Sequence, residues 1–116
     1  MTNSKIRLLV VDDDVLVSRA VQRHFSRASV DVVVTIAESG QQALQLLSAG
    51  TYDFILCDFS MPEMMGYELL EAVRTSYPSM IDHFLFHTAN EEEARPYGVP
   101  VISKGELHRI QAALGF

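Results

Sequence analysis

The chain has 116 residues and a net charge of −6, which allows one domain with a real core and argues against sequence-independent binding of nucleic acid. Apolar content of 48% and charged content of 21% are ordinary for a globular protein, and no apolar run is long enough to span a membrane. The lone Cys57 excludes an internal disulfide framework and fits a reducing cytoplasm. The first apolar run is too short, and too soon followed by acids, for a signal peptide. The Met1 start reads as a natural N-terminus.

In chain order, Ile6 to Val11 reads as a buried strand ended by Asp12-Asp13-Asp14. Asp14 or Asp13 caps a helix to about Ala28, with Val17, Ala20, Val21, Phe25 and Ala28 inward. Asp31 to Ala37 is β-branched and reads as a strand. Ser39 caps a short helix carrying Ala43, Leu44 and Leu47, which Gly50 ends. Asp53 to Cys57 is a third strand, followed by Asp58 and a loop shaped by Pro62 and Gly66. A helix with Leu69, Leu70 and Val73 inward finishes before Pro78. His83 to His87 and Val99 to Ile102 are the fourth and fifth strands. Ser103 and Glu106 have capping-box spacing for a last helix that buries Leu107, Ile110 and Leu114.

Alternating strands and helices predict an α/β fold, a doubly wound five-stranded parallel sheet of order 2-1-3-4-5, flavodoxin-like, spanning residues 1–116 as one domain. Only 11 residues, Thr88 to Gly98, join strands 4 and 5. A full crossover needs at least about 10–12 residues, and Pro96 interrupts the helical stretch. The fourth helix is therefore expected to be shortened or absent. Pro100 agrees with an edge position for strand 5.

In such sheets ligands sit at the carboxyl ends of the strands, between strands 1 and 3. Those ends carry Asp12, Asp13 and Asp58, hard oxygen donors that suit Mg²⁺ (or Mn²⁺) beside a phosphate. Two carboxylates about 5 Å apart repel by roughly 3 kcal/mol at an effective dielectric near 20, a strain that a cation relieves. Asp58 is the candidate nucleophile toward phosphorus. Thr88 offers a hydroxyl and Lys104 a compact cation for phosphoryl oxygens. Each also has a plain structural role: helix cap, turn acid, strand-end Thr, solvated Lys.

The acid pair after strand 1, Asp58-x-x-Met61-Pro62 with Gly66 four residues on, Thr88 after strand 4 and Lys104 after strand 5 together resemble a response-regulator receiver domain of two-component signalling, from Ile6 to Leu114. The resemblance implies a phosphoacceptor module: Asp58 accepts a phosphoryl group from a histidine kinase or a His-containing phosphotransfer protein, and phosphorylation changes binding to a downstream protein. It implies direct Mg²⁺ ligation by Asp13, Asp58 and the main-chain carbonyl of Ser60, with Asp12 acting through water. Asp58, Thr88 and Lys104 carry the chemistry, and Ser60 and Asn90 tune dephosphorylation. It also implies a cytoplasmic protein with self-phosphorylation and self-dephosphorylation chemistry rather than conventional turnover, without direct nucleic-acid or membrane binding.

The chain departs from the family pattern at Met65, where Asp is common, at Gly105, where a Pro with a cis bond is usual, and at Val101, where an aromatic switch is usual. A trans Lys104–Gly105 bond is expected. Most of these changes fall on the face that receivers use to signal and dimerise, so the usual dimer and Thr–aromatic coupling are not expected to carry over. Cys57 reads as a small buried hydrophobe, and His87 as turned away from the pocket and satisfied in the core or at the surface. One of Met61, Met64 and Met65 is expected to pack under the loop, and Glu91 to Glu93 to form a solvated acidic loop. Two alternatives stand beside the phosphoacceptor: a pseudo-receiver working without phosphate, and a haloacid-dehalogenase-like phosphohydrolase with Asp12 as nucleophile and Asp14 as acid/base.

Overall fold

Ile6–Val11, apolar except for Arg7, forms the first strand (β1), buried from Leu8 onward. The computed structural model describes residues 5–116, so Met1 lies outside the described residues. Asp14 ends the loop after β1 and caps α1 (Val15–Arg27): its carboxylate accepts the Leu16 N–H at 3.0 Å. Then follow β2 (Val32–Ala37), α2 (Gly40–Ala49), β3 (Phe54–Cys57), α3 (Gly66–Ser76), β4 (Phe84–Thr88), α4 (Glu91–Ala94), β5 (Val101–Ser103) and α5 (Leu107–Ala113). Ser39 caps α2 through the Gln42 N–H, and Gly50 ends it, as expected.

The strands pair in parallel in the order β2-β1-β3-β4-β5. Both faces are covered, and the pleat sorts the core accordingly. Leu8, Val10, Leu56, Leu85 and Ile102 meet Val21 and Phe25 of α1 and Ile110 and Leu114 of α5. On the other face Leu9, Val11, Ile55, Phe84 and Phe86 meet α2 and α3 through Ala43, Leu47, Leu69, Leu70 and Val73. No helix among the described residues is long and apolar enough to cross a membrane.

α4 is the stub that the short connection implied: four residues, then a 3₁₀ turn at Arg95–Tyr97 that Gly98 ends at φ +78°. Pro100 precedes the edge strand β5, where its missing N–H costs no ladder bond; its carbonyl accepts from Phe86 N–H at 2.9 Å.

Strand boundaries and one cap need correction: β2 begins at Val32 rather than Asp31, and β3 at Phe54 rather than Asp53. β4 begins at Phe84 rather than His83, because Pro78–His83 winds into a 3₁₀ segment. β5 runs Val101–Ser103 rather than Val99–Ile102. Ser103 does not cap the last helix: its carbonyl accepts the Glu106 N–H in a turn, and Glu106 pairs with Arg109 instead of reaching back.

Candidate functional site

The parallel ladder continues one residue beyond three strands. Asp12 N–H bonds the Ala37 carbonyl at 3.0 Å, Asp58 N–H the Val11 carbonyl at 2.9 Å and Lys104 N–H the Thr88 carbonyl at 3.0 Å. The same rim is thereby given two acids and a cation with fixed backbones. Asp12 and Asp58 are buried, and Asp13 is exposed beside them. One carboxylate oxygen from each of the three lies within 4.8 Å of the others.

Lys104 Nζ donates to Asp58 Oδ2 at 3.0 Å and lies 3.2 Å from Asp12 Oδ2. Asp12 Oδ2 therefore shares one ammonium with Asp58, while Oδ1 accepts the Asp14 N–H at 2.9 Å. Burial drives the Asp12 carboxyl up to about 6; the Asp14 N–H opposes this, Asp58 adds to it, and Lys104 only partly offsets it. For Lys104, burial disfavours the ammonium, but the hydrogen bond to Asp58 and the charges of both acids outweigh it and hold the group above its ordinary value.

Thr88 is buried at the end of β4, and its hydroxyl oxygen accepts the Asn90 N–H at 3.1 Å. That local turn uses a lone pair and leaves the O–H free to donate. Ser60 and Asn90 are exposed at the rim. Among the described residues no hydrogen bond ends on the Ser60 carbonyl.

The loop after Asp58 is tightly built. Met64 N–H reaches the Pro62 carbonyl at 2.7 Å across Glu63, a non-glycine residue held at φ +67°. Gly66 N–H bonds the Phe59 carbonyl at 2.8 Å, and a Cβ on Gly66 would collide with the Asp58 carbonyl oxygen and stand 2.8 Å from Phe59 Cα. This glycine is required by close backbone approach. Met61 is buried beneath the loop, as expected for one of the three methionines.

Cys57 is fully buried and donates to the Asp58 carbonyl; burial pushes its thiol well above the ordinary value, so it serves as a core residue. His87 corrects the expectation of a satisfied histidine. It shares Leu85's side of β4 and is 2% exposed, yet Nε2 has no hydrogen-bond partner. Burial, then the Lys104 charge, lowers its pKa to about 4.

The family model of the response regulator receiver domain matches residues 8–102. The chain belongs to this family. A protein-glutamate methylesterase/protein-glutamine glutaminase of Trichodesmium erythraeum is 38% identical over 76 residues, 66% of this chain and 22% of that protein. The transcriptional regulatory protein ZraR of Klebsiella oxytoca is 34% identical over 83 residues, 69% of this chain and 18% of that protein. The chain thus spans about a fifth of the length of these relatives. Among solved structures, the signal receiver domain of an HD domain-containing protein from Pseudomonas fluorescens superposes with a TM-score of 0.83 at 23% identity, over 96% of this chain and 92% of that one. Response regulator TrrA of Thermotoga maritima, solved in complex with Mg²⁺-BeF, gives 0.82 at 20% identity over 94% and 96%. These likenesses show the fold.

Two departures of this receiver domain from the family pattern have visible geometry. Gly105, in place of the usual Pro, sits at φ +91° as third residue of the turn closed by Glu106 N–H on the Ser103 carbonyl, and no described peptide bond is cis. Val101 leaves β5 without an aromatic, but an aromatic cluster forms elsewhere. Tyr97, from the 3₁₀ turn after α4, stacks on Tyr67 of α3 (5.4 Å between centroids, 14° between planes) and lies 5.5 Å from Phe59. Sequence reading missed this cluster, because Tyr67 and Tyr97 share no element and no periodic spacing.

Proposed function

We propose that this receiver domain takes a phosphoryl group from a phosphohistidine donor, a histidine kinase or His-containing phosphotransfer protein, onto Asp58 with Mg²⁺, and thereby changes partner binding. The observation that carries this reading is the buried Asp58 carboxylate, 3.0 Å from Lys104 Nζ with Asp12 and Asp13 beside it. The donor set fits a hard divalent cation: three carboxylates converge, and the single Lys104 ammonium is shared by the two buried ones. Asp12, Asp13, Asp58 and the Ser60 carbonyl would hold Mg²⁺ or Mn²⁺, whose charge would offset that of the transferring group. The relative solved with Mg²⁺-BeF supports the choice of ion.

The chain's own residues supply the remaining steps. A carboxylate oxygen of Asp58 forms an O–P bond while the P–N bond of the donor breaks; the donor ring, protonated on its other nitrogen, leaves as neutral imidazole. Lys104 pairs with a phosphoryl oxygen in place of the carboxylate it holds in the free protein. Thr88 donates its free O–H to another. Attack of water on phosphorus returns the carboxylate and releases phosphate, and exposed Ser60 and Asn90 govern access of that water. The hydrolase reading is less well supported, since Asp14, its acid/base, uses one carboxylate oxygen to cap α1.

Intact-mass measurement after incubation with a small phosphodonor and Mg²⁺ tests the proposal. One phosphoryl adduct is expected, absent without Mg²⁺ and absent in Asp58→Asn. An adduct that survives the substitution would place the acceptor elsewhere, and no adduct on the wild type would favour a pseudo-receiver.

A further inference from the structure

The face of the molecule between α3 and α4 has features that phosphoryl chemistry does not use. Tyr67 and Tyr97 are 36% and 38% exposed although their rings are stacked. Both lie on Phe59, at 6.1 and 5.5 Å between centroids, and Phe59 is buried and packs edge-on against Phe86 at 5.2 Å. The pair is therefore a rigid aromatic shelf rooted in the core, with little rotamer freedom left to lose on binding.

Acids lie close to both tyrosines along the chain, in the loop before α3, at the start of α3 and on α4. Glu63 and Glu68 flank Tyr67, and Glu91, Glu92 and Glu93 precede Tyr97 by one to two turns. Arg95 is paired with Glu91 and Arg74 with Glu71. Glu68 is turned back on its own helix, where Oε1 accepts the Met65 N–H at 2.9 Å; Glu63, Glu92 and Glu93 have no ion-pair partner among the described residues. Aromatic faces and uncompensated carboxylates attract the same kind of group, a planar cation that stacks and donates hydrogen bonds. Tyrosine and arginine are also the residues that most often dominate protein interfaces.

We propose that the Tyr67–Tyr97 shelf, with the acids Glu63, Glu92 and Glu93 close to it along the chain, is the docking face for an arginine-bearing segment of a partner protein. Phe59 follows Asp58 directly and touches both tyrosines, so a change at the acceptor reaches the shelf through one side chain. This coupling, which rests on the phosphoacceptor reading, replaces the Thr–aromatic route that Val101 removes.

The test uses the whole chain and acetylated tetra-arginine amide as probe, with tetra-lysine and tetra-glutamate amides as controls, followed by NMR of the tyrosine rings. Tetra-arginine should shift the Tyr67 and Tyr97 resonances and leave Tyr52 and Tyr77 unmoved. It should bind more tightly than tetra-lysine, and tetra-glutamate should not bind. Tyr97→Leu should weaken tetra-arginine about fivefold. Glu92→Lys with Glu93→Lys should weaken it further without touching the core, which covers the case that Tyr97→Leu fails to fold. Shifts at other tyrosines, equal affinity for the two cationic peptides, or unchanged affinity in both variants would overturn the docking face. Repeating the titration with Mg²⁺ and beryllofluoride should change the affinity at least threefold. An unchanged affinity on protein shown by ¹⁹F NMR to carry the adduct would overturn the coupling alone. Absence of the adduct would instead count against the phosphoacceptor reading, leaving the docking face to the metal-free titration.

Discussion

Asp13 projects exposed beside two buried acids and caps nothing, since Asp14 is the residue bonded to the Leu16 N–H. Its charge in the metal-free protein meets the like charges of Asp12 and Asp58, with ligand atoms within 4.8 Å, which the single Lys104 ammonium between those two offsets only in part. At that separation repulsion is worth about 1 kcal/mol in a watery setting and more as the dielectric falls. Asp13→Asn should raise the melting temperature in EDTA by a few degrees and reduce the stabilisation that Mg²⁺ provides. Calorimetry with and without Mg²⁺ checks both signs, and a lowered melting temperature in EDTA would mean that Asp13 holds the loop. The acids and Lys104 were legible in the sequence because each ends an apolar run, and a run that stops at a charge places it on the sheet's rim. His87 was not legible in this way. Alternation gave its side of the strand, but nothing local says whether a polar partner waits there, and none bonds Nε2.

The elements that present the site depend on close contacts that only packing reveals. α3 begins at Gly66, pressed against the backbone of Asp58 and Phe59, whereas α2 begins at Gly40, whose added Cβ would first meet the Met64 side chain. Backbone cannot step aside, but a flexible thioether can. Gly66→Ala should destabilise by about 1–3 kcal/mol and slow formation of the proposed phosphoryl adduct, because the Asp58 carbonyl must move. Gly40→Ala should cost less than about 1 kcal/mol and leave the adduct rate unchanged. Urea denaturation and timed intact-mass measurements separate the two, and equal losses would refute the backbone argument. From the sequence, Gly66 was a loop former, and its actual constraint depends on a residue eight positions earlier. The strands and longer helices were readable from periodicity and caps. The ends of β4 and β5 were not, because the 3₁₀ segment Pro78–His83 runs into β4 without a break and Pro100 interrupts the apolar run before β5. The Ser103–Glu106 spacing matched a capping box, but Gly105 turned it into a tight turn.

For the molecule as a whole, stability against pH is set by two buried groups that titrate in opposite senses. Asp12 has a folded pKa of about 6 against an ordinary 3.8, so its protonated form favours the fold: that gain is full below 3.8 and lost as pH rises through 6. His87 has a folded pKa of about 4 against 6.5, so its neutral form favours the fold: that gain is full above 6.5 and lost as pH falls toward 4. Each shift corresponds to about 3 kcal/mol, and the windows overlap, so the two nearly cancel in the metal-free wild type. Denaturation free energy in EDTA should therefore change little between pH 7 and 5. Removing one partner exposes the other. His87→Leu should become more stable on acidification over this range, and Asp12→Asn less stable, each by about 1–2 kcal/mol. Mg²⁺ should reverse the first trend, because a bound cation favours ionised Asp12 and is displaced by protons. Urea titrations of the wild type and both variants at pH 7 and 5 decide it. If His87→Leu keeps the wild-type slope, burial of the neutral imidazole does not offset the titration of Asp12.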